Sequence, residues 1–194
     1  GAVEVLGWSF PDAHCRSSPF ETRPPPRAGR RIGLLHGDLD APRSPYAPFT
    51  SRDLEGHAAD AWLLGHVHVP SSRTLSAPAP RGYLGSACGL DPSESGPRGA
   101  WLVRCRHDGL AMEHRAIAPI HWAHATLDAG DLDATRLDVA LHEAANEHAS
   151  RSDEALAVGV RVRLTGEHHD WESINARADG MQIGEPWSHE GRRV

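Results

Sequence analysis

The sequence predicts an α/β fold in which mixed strands are flanked by helices and a small α+β domain follows. The apolar run Trp62-Leu63-Leu64 is typical of a strand covered on both faces, and residues 31–36 form a second run of this kind. Alternating apolar residues predict two further strands over 101–106 and 156–164, whereas apolar residues at helical spacing predict a helix over 135–149. Strands and helices therefore follow one another along the chain, as layered domains require.

Capping and breaking residues delimit the elements of the first half. Residues 2–7 read as a short strand, whereas the Pro- and Arg-rich residues 17–31 predict an exposed connection. Thr50 and Asp53 fit a capping box. In this motif the threonine hydroxyl accepts from the first-turn amides, and the carboxylate accepts from the backbone N–H of the threonine. A short helix is therefore expected from Thr50 to about residue 59.

The middle of the chain combines short strands with a long loop. Residues 73–86 predict two further short strands, and residues 87–99 have too few apolar side chains to pack as an element. Asp108-Gly109 is a turn sequence that reverses the chain after the strand over 101–106. A hairpin with its second strand over 110–117 is therefore expected.

The character of the sequence changes near residue 126. The helix over 135–149 has one apolar face, formed by Leu137, Leu141, Ala144, Ala145 and His148. The strand over 156–164 alternates, with Arg161 and Arg163 directed outward. Its inward residues are Leu156, Val158, Val160, Val162 and Leu164. We therefore place a domain boundary between residues 125 and 126.

Length and composition predict a water-soluble protein. With 194 residues, of which 39% are hydrophobic, the chain buries one core, with or without a small appendage. It contains no apolar stretch of the length that a membrane span needs and no basic-then-apolar leader at residue 1. Its 3 cysteines include no Cys-x-x-Cys pair, which argues against a disulfide framework and against a thiolate zinc site. We therefore expect a cytoplasmic location and no membrane partner.

The negative charge is confined to one segment. The net charge is −6, and residues 128–154 alone contain eight carboxylates and two arginines, which accounts for all of it. Every basic residue is arginine, whose planar guanidinium suits phosphate better than the point charge of lysine. The composition therefore permits DNA as a partner without requiring it.

Three histidines follow two of the predicted strands. His36 ends the run 31–36, whereas His66 and His68 follow the next apolar run through Gly65. Residues i and i+2 of an extended segment point to the same side, and ligands collect outside the carboxyl ends of strands in layered α/β sheets. A single histidine after a strand is more often structural. Three of them at two strand ends predict a metal site.

Short motifs around these histidines resemble a known family. Gly65-His66-Val67-His68 after an apolar strand resembles the last ligand motif of the calcineurin-like metallophosphoesterases. The supporting segments are Leu34-Leu35-His36-Gly37, Tyr46-Ala47-Pro48-Phe49, Tyr83-Leu84-Gly85-Ser86, Gly89-Leu90-Asp91-Pro92 and Gly96-Pro97-Arg98-Gly99-Ala100. Together they resemble the SbcD-type DNA repair exonuclease branch over residues 1–125, and more loosely to the end.

The resemblance implies a fold and a set of metal ligands. Residues 1–125 would be the C-terminal half of a metallophosphoesterase sandwich, and residues 126–194 part of an incomplete DNA-facing cap domain. His36 and His66 would bind one divalent ion and His68 a second, with Mn expected and Fe or Zn as alternatives.

The family's other ligand motifs have no match in this chain. These are Asp-x-His, Gly-Asp-x-x-Asp and Gly-Asn-His-Asp/Glu, and Gly37-Asp38 lacks the second aspartate. The first methionine is Met112, so we expect a piece of a longer protein. No catalytic residue is identified in this chain, and the chain alone is expected to be inactive.

Four residues are candidate substrate contacts. A loop such as residues 87–99 lies by the active site in the resembled family, which makes Ser86 and Arg98 candidates for substrate contacts. Arg161 and Arg163 are candidates for contacts with backbone phosphates, although a solvated strand face is the alternative interpretation.

Two classes of function remain open. The resemblance implies a DNA exonuclease of DNA repair that works with an SMC-like coiled-coil ABC ATPase, with a homodimer as one assembly and a phosphoesterase for small nucleotides as a variant. The second class is a non-catalytic fragment or module that binds a partner or DNA.

Overall fold

The computed structural model divides the chain into two compact units. The first comprises residues 1–86 and 100–115, and the second comprises residues 87–99 and 116–194. The described residues are 2–22, 25–27, 29–130, 132–152, 155–182, 188–189 and 192–193. The sequence-based boundary at residue 125 stays a prediction, and the structural division assigns residues 116–125 to the second unit.

A parallel sheet forms the centre of the first unit. Its strands are β1 (Val3–Trp8), β2 (Arg30–His36), β3 (Ala61–Gly65) and β4 (Arg81–Tyr83). They lie in the order β1-β2-β3-β4, and each neighbouring pair is parallel. The carboxyl ends of all four strands therefore lie at one edge of the sheet, which confirms the α/β prediction.

The central strand β3 is buried on both faces, as its apolar sequence predicts. Trp62 and Leu64 pack on one face in a cluster with Leu35, Phe49 and Leu54. On the opposite face, Ala61 and Leu63 pack in a cluster with Ile32 and Leu75. Burial of these side chains is the main stabilising contribution that fixes β3 between its neighbours.

A close cross-strand contact fixes the position of Trp62. Gly33 of β2 lies directly opposite Trp62 of β3, and a Cβ atom at Gly33 would meet the indole ring at 2.1 Å. Trp62 is 1% exposed, so the ring has no room to move away. The glycine is therefore required because the indole ring occupies the space above it.

Two short helices connect the strands of the first unit. Helix α1 (Ser51–Gly56) begins with the predicted capping box between Thr50 and Asp53, and it ends earlier than expected. Helix α2 (Ser72–Leu75) replaces the first of the two strands predicted over 73–86, which was wrong. The hydroxyls of Thr74 and of Ser76, the residue after the helix, donate to backbone carbonyls one turn earlier, while the buried Leu75 anchors the turn.

The predicted hairpin is present. Strands β5 (Gly99–Cys105) and β6 (Leu110–Ala116) form a two-stranded sheet that is closed by a bond from Arg106 N to Gly109 O of 2.8 Å. Trp101, Val103, Leu110 and Met112 pack against the cluster around Ile32 and Leu63.

The second unit is built around a parallel strand pair with a helical crossover. Strand β7 (Ile120–Asp128) pairs with β8 (Ala157–Thr165), and α3 (Ala134–Ser150) lies between them in the chain. Helix α4 (Trp171–Gln182) and the short strands β9 (Ser188–His189) and β10 (Arg192–Arg193) follow. The sheet order is β7-β8-β10-β9, in which β9 and β10 are antiparallel.

The predicted helix and strand of the second unit are confirmed, with local differences. Leu137 and Leu141 of α3 pack with Ile174 of α4, and the Asp133 side chain caps the helix by accepting from Arg136 N. Leu156 is 73% exposed, contrary to the predicted inward position, because it precedes the first residue of β8.

None of the described helices combines the length and the apolar composition that a membrane span requires.

The Trp62–Gly33 contact predicts that the added methyl group in Gly33→Ala destabilises the chain by about 1–3 kcal/mol, because the indole ring has no free space. Gly7→Ala is the matched control, since Gly7 lies in the neighbouring strand β1 and its Cβ position is open. Urea unfolding measures both variants. Equal midpoints for the two variants would contradict the packing argument.

Candidate metal centre

Two of the predicted ligand segments meet at the carboxyl edge of the parallel sheet. His36 is the last residue of β2, and it lies opposite Gly65, the last residue of β3. His66 follows directly. Since the two strands run in the same direction and in register, their ends deliver His36 and His66 to one place.

The rings of His36 and His66 are close together. Their centroids are 5.5 Å apart, with an angle of 69° between the planes. Two imidazoles that share one ion, with each nitrogen at about 2.0–2.1 Å from it, have rings separated by a distance of this order. The pair therefore has the chemistry and the spacing that a divalent transition metal needs from two of its ligands.

Gly65 makes this approach of the two segments sterically allowed. A Cβ atom at residue 65 would lie 2.8 Å from Nδ1 of His36, which is closer than ordinary contacts permit. Any side chain at this position would push the imidazole away from its observed place. The glycine in the Gly-His-Val-His motif is thus required by the neighbouring histidine.

His66 has a strained backbone. Its φ angle is +102°, in a region that residues with a side chain rarely adopt. Such a conformation costs on the order of 1–3 kcal/mol and persists only where the surrounding structure holds it. The strain marks His66 as a position of functional interest.

Burial and charge repulsion keep His36 neutral. Partial burial lowers the pKa of His36 from its usual value, and the nearby imidazoles of His66 and His68 lower it further. A neutral imidazole has a lone pair for a metal ion, whereas the protonated ring has none.

Aromatic rings surround the histidine pair. Phe10, on the loop that leaves β1, has its ring centroid 4.9 Å from that of His36 and 6.1 Å from that of His66. The ring of Tyr46 lies 4.8 Å from that of His66 and stacks on His14 at 5.5 Å. These rings restrict the orientations that the two imidazoles adopt.

Asp38 contacts His66, and Tyr83 holds the loop that carries Asp38. The sequence did not reveal either role. Oδ1 of Asp38 lies 3.4 Å from Nε2 of His66. The Tyr83 hydroxyl accepts from Leu39 N at 2.7 Å and donates to Gly37 O at 3.2 Å. Burial raises the pKa of Tyr83, so the hydroxyl keeps the proton that it donates. The position of Asp38, two residues after His36, is the one sequence signal that could have identified it.

The structure brings together two of the three predicted metal ligands. His68 is exposed on the loop after His66, and its charge acts on His36. Within the described ranges, no group of three or more His, Cys, Asp or Glu side chains is arranged to hold a metal ion. The assignment of His36, His66 and His68 to a two-metal centre therefore stays a prediction.

The predicted substrate contacts lie in different parts of the chain. Ser86 belongs to the first unit, and its backbone N–H donates to His68 O at 3.1 Å. Arg98 belongs to the second unit and is 5% exposed. Its guanidinium donates to Glu94 O and Ser95 O at 3.3 and 3.2 Å, so it stabilises its own loop. Arg161 and Arg163 are exposed on β8.

Each unit has an open cleft. The cleft of the first unit, about 450 Å³ in volume, contains His36 and has an apolar lining that includes Trp8, Leu34 and Leu84. The cleft of the second unit has a volume of about 500 Å³, and its lining includes His121, His124, His148 and Arg151. The cleft of the first unit is adjacent to the strand ends that carry the histidine pair, since Gly65 also lines it.

The lowered pKa of His36 predicts a direction for the pH dependence of folding. The unfolded chain binds a proton near the ordinary pKa, about 6.5, whereas the folded chain binds it at a lower pH. The free energy of unfolding should therefore fall as the pH drops through about 6.5 toward the folded pKa, and this part should vanish in His36→Asn. Urea unfolding of the metal-free chain across this range tests it. An equal pH slope in the variant would contradict it.

Comparison with known proteins gives one informative similarity. No family model matches the chain. The Bacillus subtilis (strain 168) protein named "Uncharacterized metallophosphoesterase YhaO" is 29% identical over 143 residues, which is 72% of this chain and 34% of that protein. The chain thus spans about a third of the length of the relative that it matches. The similarity supports a relationship to the metallophosphoesterase superfamily and agrees with the mixed α/β architecture.

Proposed function

We propose that this chain is part of a metal-dependent phosphodiesterase that acts on DNA, and that it contributes His36, His66 and His68 to a two-metal centre. One observation carries the proposal, namely the approach of the His36 and His66 rings to 5.5 Å at the carboxyl edge of a parallel sheet. The similarity to a protein named as a metallophosphoesterase supports the reaction class.

The family resemblance suggests a role for each histidine. His36 and His66 would hold one divalent ion and His68 the other, with Mn expected and Fe or Zn as alternatives. Bound divalent ions supply a Lewis acid and lower the pKa of water, which is the chemistry that phosphodiester hydrolysis requires. The residues of this chain position the donors. Gly65 leaves space for His36, and the lowered pKa of His36 keeps its lone pair available near neutral pH.

The chain is proposed to supply part of the centre rather than all of it. In the described part of the chain, no three side chains of the ligand types are grouped around one point. The chain also matches only 34% of its relative's length. The bridging carboxylate and the remaining ligands are therefore proposed to come from other residues of a longer protein, and the chain alone is proposed to be inactive.

The outer face of β8 supports DNA as the substrate class. Arg161 and Arg163 are exposed and two residues apart, so both point to the same side of the strand. Both residues are exposed, as contacts with phosphate oxygens require. Ser86 and Arg98 are kept as proposed contacts, and the SMC-like ATPase and a homodimer as proposed partners.

A non-catalytic module is the second candidate function. It is favoured by the same incomplete grouping of ligand side chains in the described residues, together with the exposed arginines of β8. Such a module would bind DNA through Arg161 and Arg163 and hold at most a single metal ion weakly.

Alanine substitution of the histidines in the complete protein separates the two functions. We expect His36→Ala and His68→Ala each to reduce Mn-dependent hydrolysis of a generic phosphodiester and of DNA by at least about 100-fold, since a lost ligand removes or misplaces an ion. His107→Ala is the control, because the His107 side chain is 97% exposed in the hairpin turn.

Three results would count against the proposal. Unchanged activity of His68→Ala would contradict the ligand assignment. Turnover by the 194-residue chain alone would contradict the shared centre. DNA binding without metal-dependent turnover in the complete protein would favour the non-catalytic module.

A single methyl group should test the geometry of the pair. We expect Gly65→Ala to weaken Zn²⁺ or Mn²⁺ binding to the complete protein by about 10-fold or more, because the added Cβ displaces the His36 ring. Gly56→Ala is the control, since its Cβ position at the end of α1 is open. Isothermal titration measures both. Equal affinities would show that His36 does not have to occupy its observed place.

A further inference from the structure

His66 is held in its strained conformation by contacts on several sides. The Tyr46 ring lies 4.8 Å away and the Phe10 ring 6.1 Å away, centroid to centroid. On its polar side, the His66 ring has Oδ1 of Asp38 at 3.4 Å from Nε2, which is an ion-pair distance. The His66 and Asp38 side chains are 25% and 21% exposed, so the contact is half-buried.

Asp38 is held more firmly than an ordinary loop residue. Its second carboxylate oxygen accepts a short hydrogen bond from Ser44 Oγ. Its backbone N–H donates to Tyr46 O at 2.9 Å, and its carbonyl accepts from Phe49 N at 3.0 Å. Hydrogen bonds to both the backbone and the side chain of Asp38 therefore fix the position of its carboxylate.

The Tyr83 hydroxyl holds the same loop from the end of β4. It accepts from the N–H of Leu39 and donates to the carbonyl of Gly37, the two residues that flank Asp38. Both bonds cross from β4 to the loop that follows β2, so the sheet itself determines where the Asp38 carboxylate lies.

The chemistry of this contact determines which nitrogen of His66 carries the proton. An ionised carboxylate only accepts hydrogen bonds, and a neutral imidazole has one N–H and one lone pair. Since Oδ1 of Asp38 lies 3.4 Å from Nε2, the carboxylate favours the proton on Nε2 and the lone pair on Nδ1. Carboxylates behind metal-binding histidines fix the tautomer and the ring orientation in this way.

We propose that Asp38 is a positioning residue that holds His66 as the Nε2–H tautomer and thereby presents Nδ1 to the proposed metal centre. The inference deepens the proposed function and rests on it. Ser44 and Tyr83 act one step further away, by holding Asp38 in place.

The tautomer is measurable without metal or substrate. In two-bond ¹H–¹⁵N spectra of the metal-free chain at about pH 8, where imidazole is neutral, His66 should show the Nε2–H form with a slowly exchanging ring proton. Asp38→Ala should make that proton exchange rapidly. Asp40→Asn should leave it unchanged, because Asp40 lies on the same loop but is bonded to Ser51 instead.

Metal affinity of the complete protein provides the second readout. We expect Asp38→Ala to weaken Zn²⁺ binding by about 10- to 100-fold and Asp40→Asn to leave it unchanged. A predominant Nδ1–H form of His66 in the unsubstituted chain overturns the proposal, as does equal affinity of the two variants. If Asp38→Ala does not fold, the tautomer of the unsubstituted chain decides. The metal-free spectra do not depend on hydrolysis, so failure of the proposed reaction is distinguishable from failure of this inference.

Discussion

The parallel, in-register pairing of β2 with β3 is the constraint on which the candidate site depends. It places His36 opposite Gly65, so that the next residue, His66, emerges beside the His36 ring. A shift by one residue would turn one of the two side chains to the other face of the sheet. The register is fixed by apolar burial on both faces of β3, above all by Trp62, whose indole ring occupies the space over Gly33. Packing energy in the core therefore determines geometry at the sheet edge.

The same structural solution recurs in the second unit. Trp122 of β7 lies opposite Gly159 of β8, and a Cβ atom at Gly159 would meet the indole ring at 2.2 Å. Its Nε1 donates to Gly89 O at 3.1 Å, which attaches the loop of residues 87–99 to the outer face of this strand pair. In both sheets, a glycine thus leaves space for the indole ring of a tryptophan on the adjacent strand. This contact fixes the register of the strand pair.

Much of the fold could be predicted from sequence because its signals are local. The apolar runs of β2 and β3, the capping box at Thr50 and the Asp-Gly hairpin each depend on a few adjacent residues, and each is present. Helix α2 was missed because four residues carry little periodicity, and Leu75 alone anchors them through tertiary contacts. The exposure of Leu156 depends on where pairing with β7 begins, which the alternation of one strand does not reveal.

The candidate site shows the same division between local and tertiary information. The convergence of His36 and His66 follows from strand order and polarity, which the apolar runs and the family resemblance indicate. The contacts that hold Asp38 beside His66 are tertiary, because Tyr83 at the end of β4 hydrogen-bonds the loop after β2. Arg98 hydrogen-bonds a carbonyl of its own loop and is buried there. The residues around Arg98 in the sequence give no sign that this arginine is buried.

Metal-soaked crystals of the complete protein would test the central claim most directly. The proposed two-metal centre predicts one anomalous scattering peak for Mn²⁺ or Zn²⁺ within bonding distance of one nitrogen from each of His36 and His66, and a second peak beside His68. A metal peak elsewhere, with these two imidazoles contacting only protein or solvent, would contradict it.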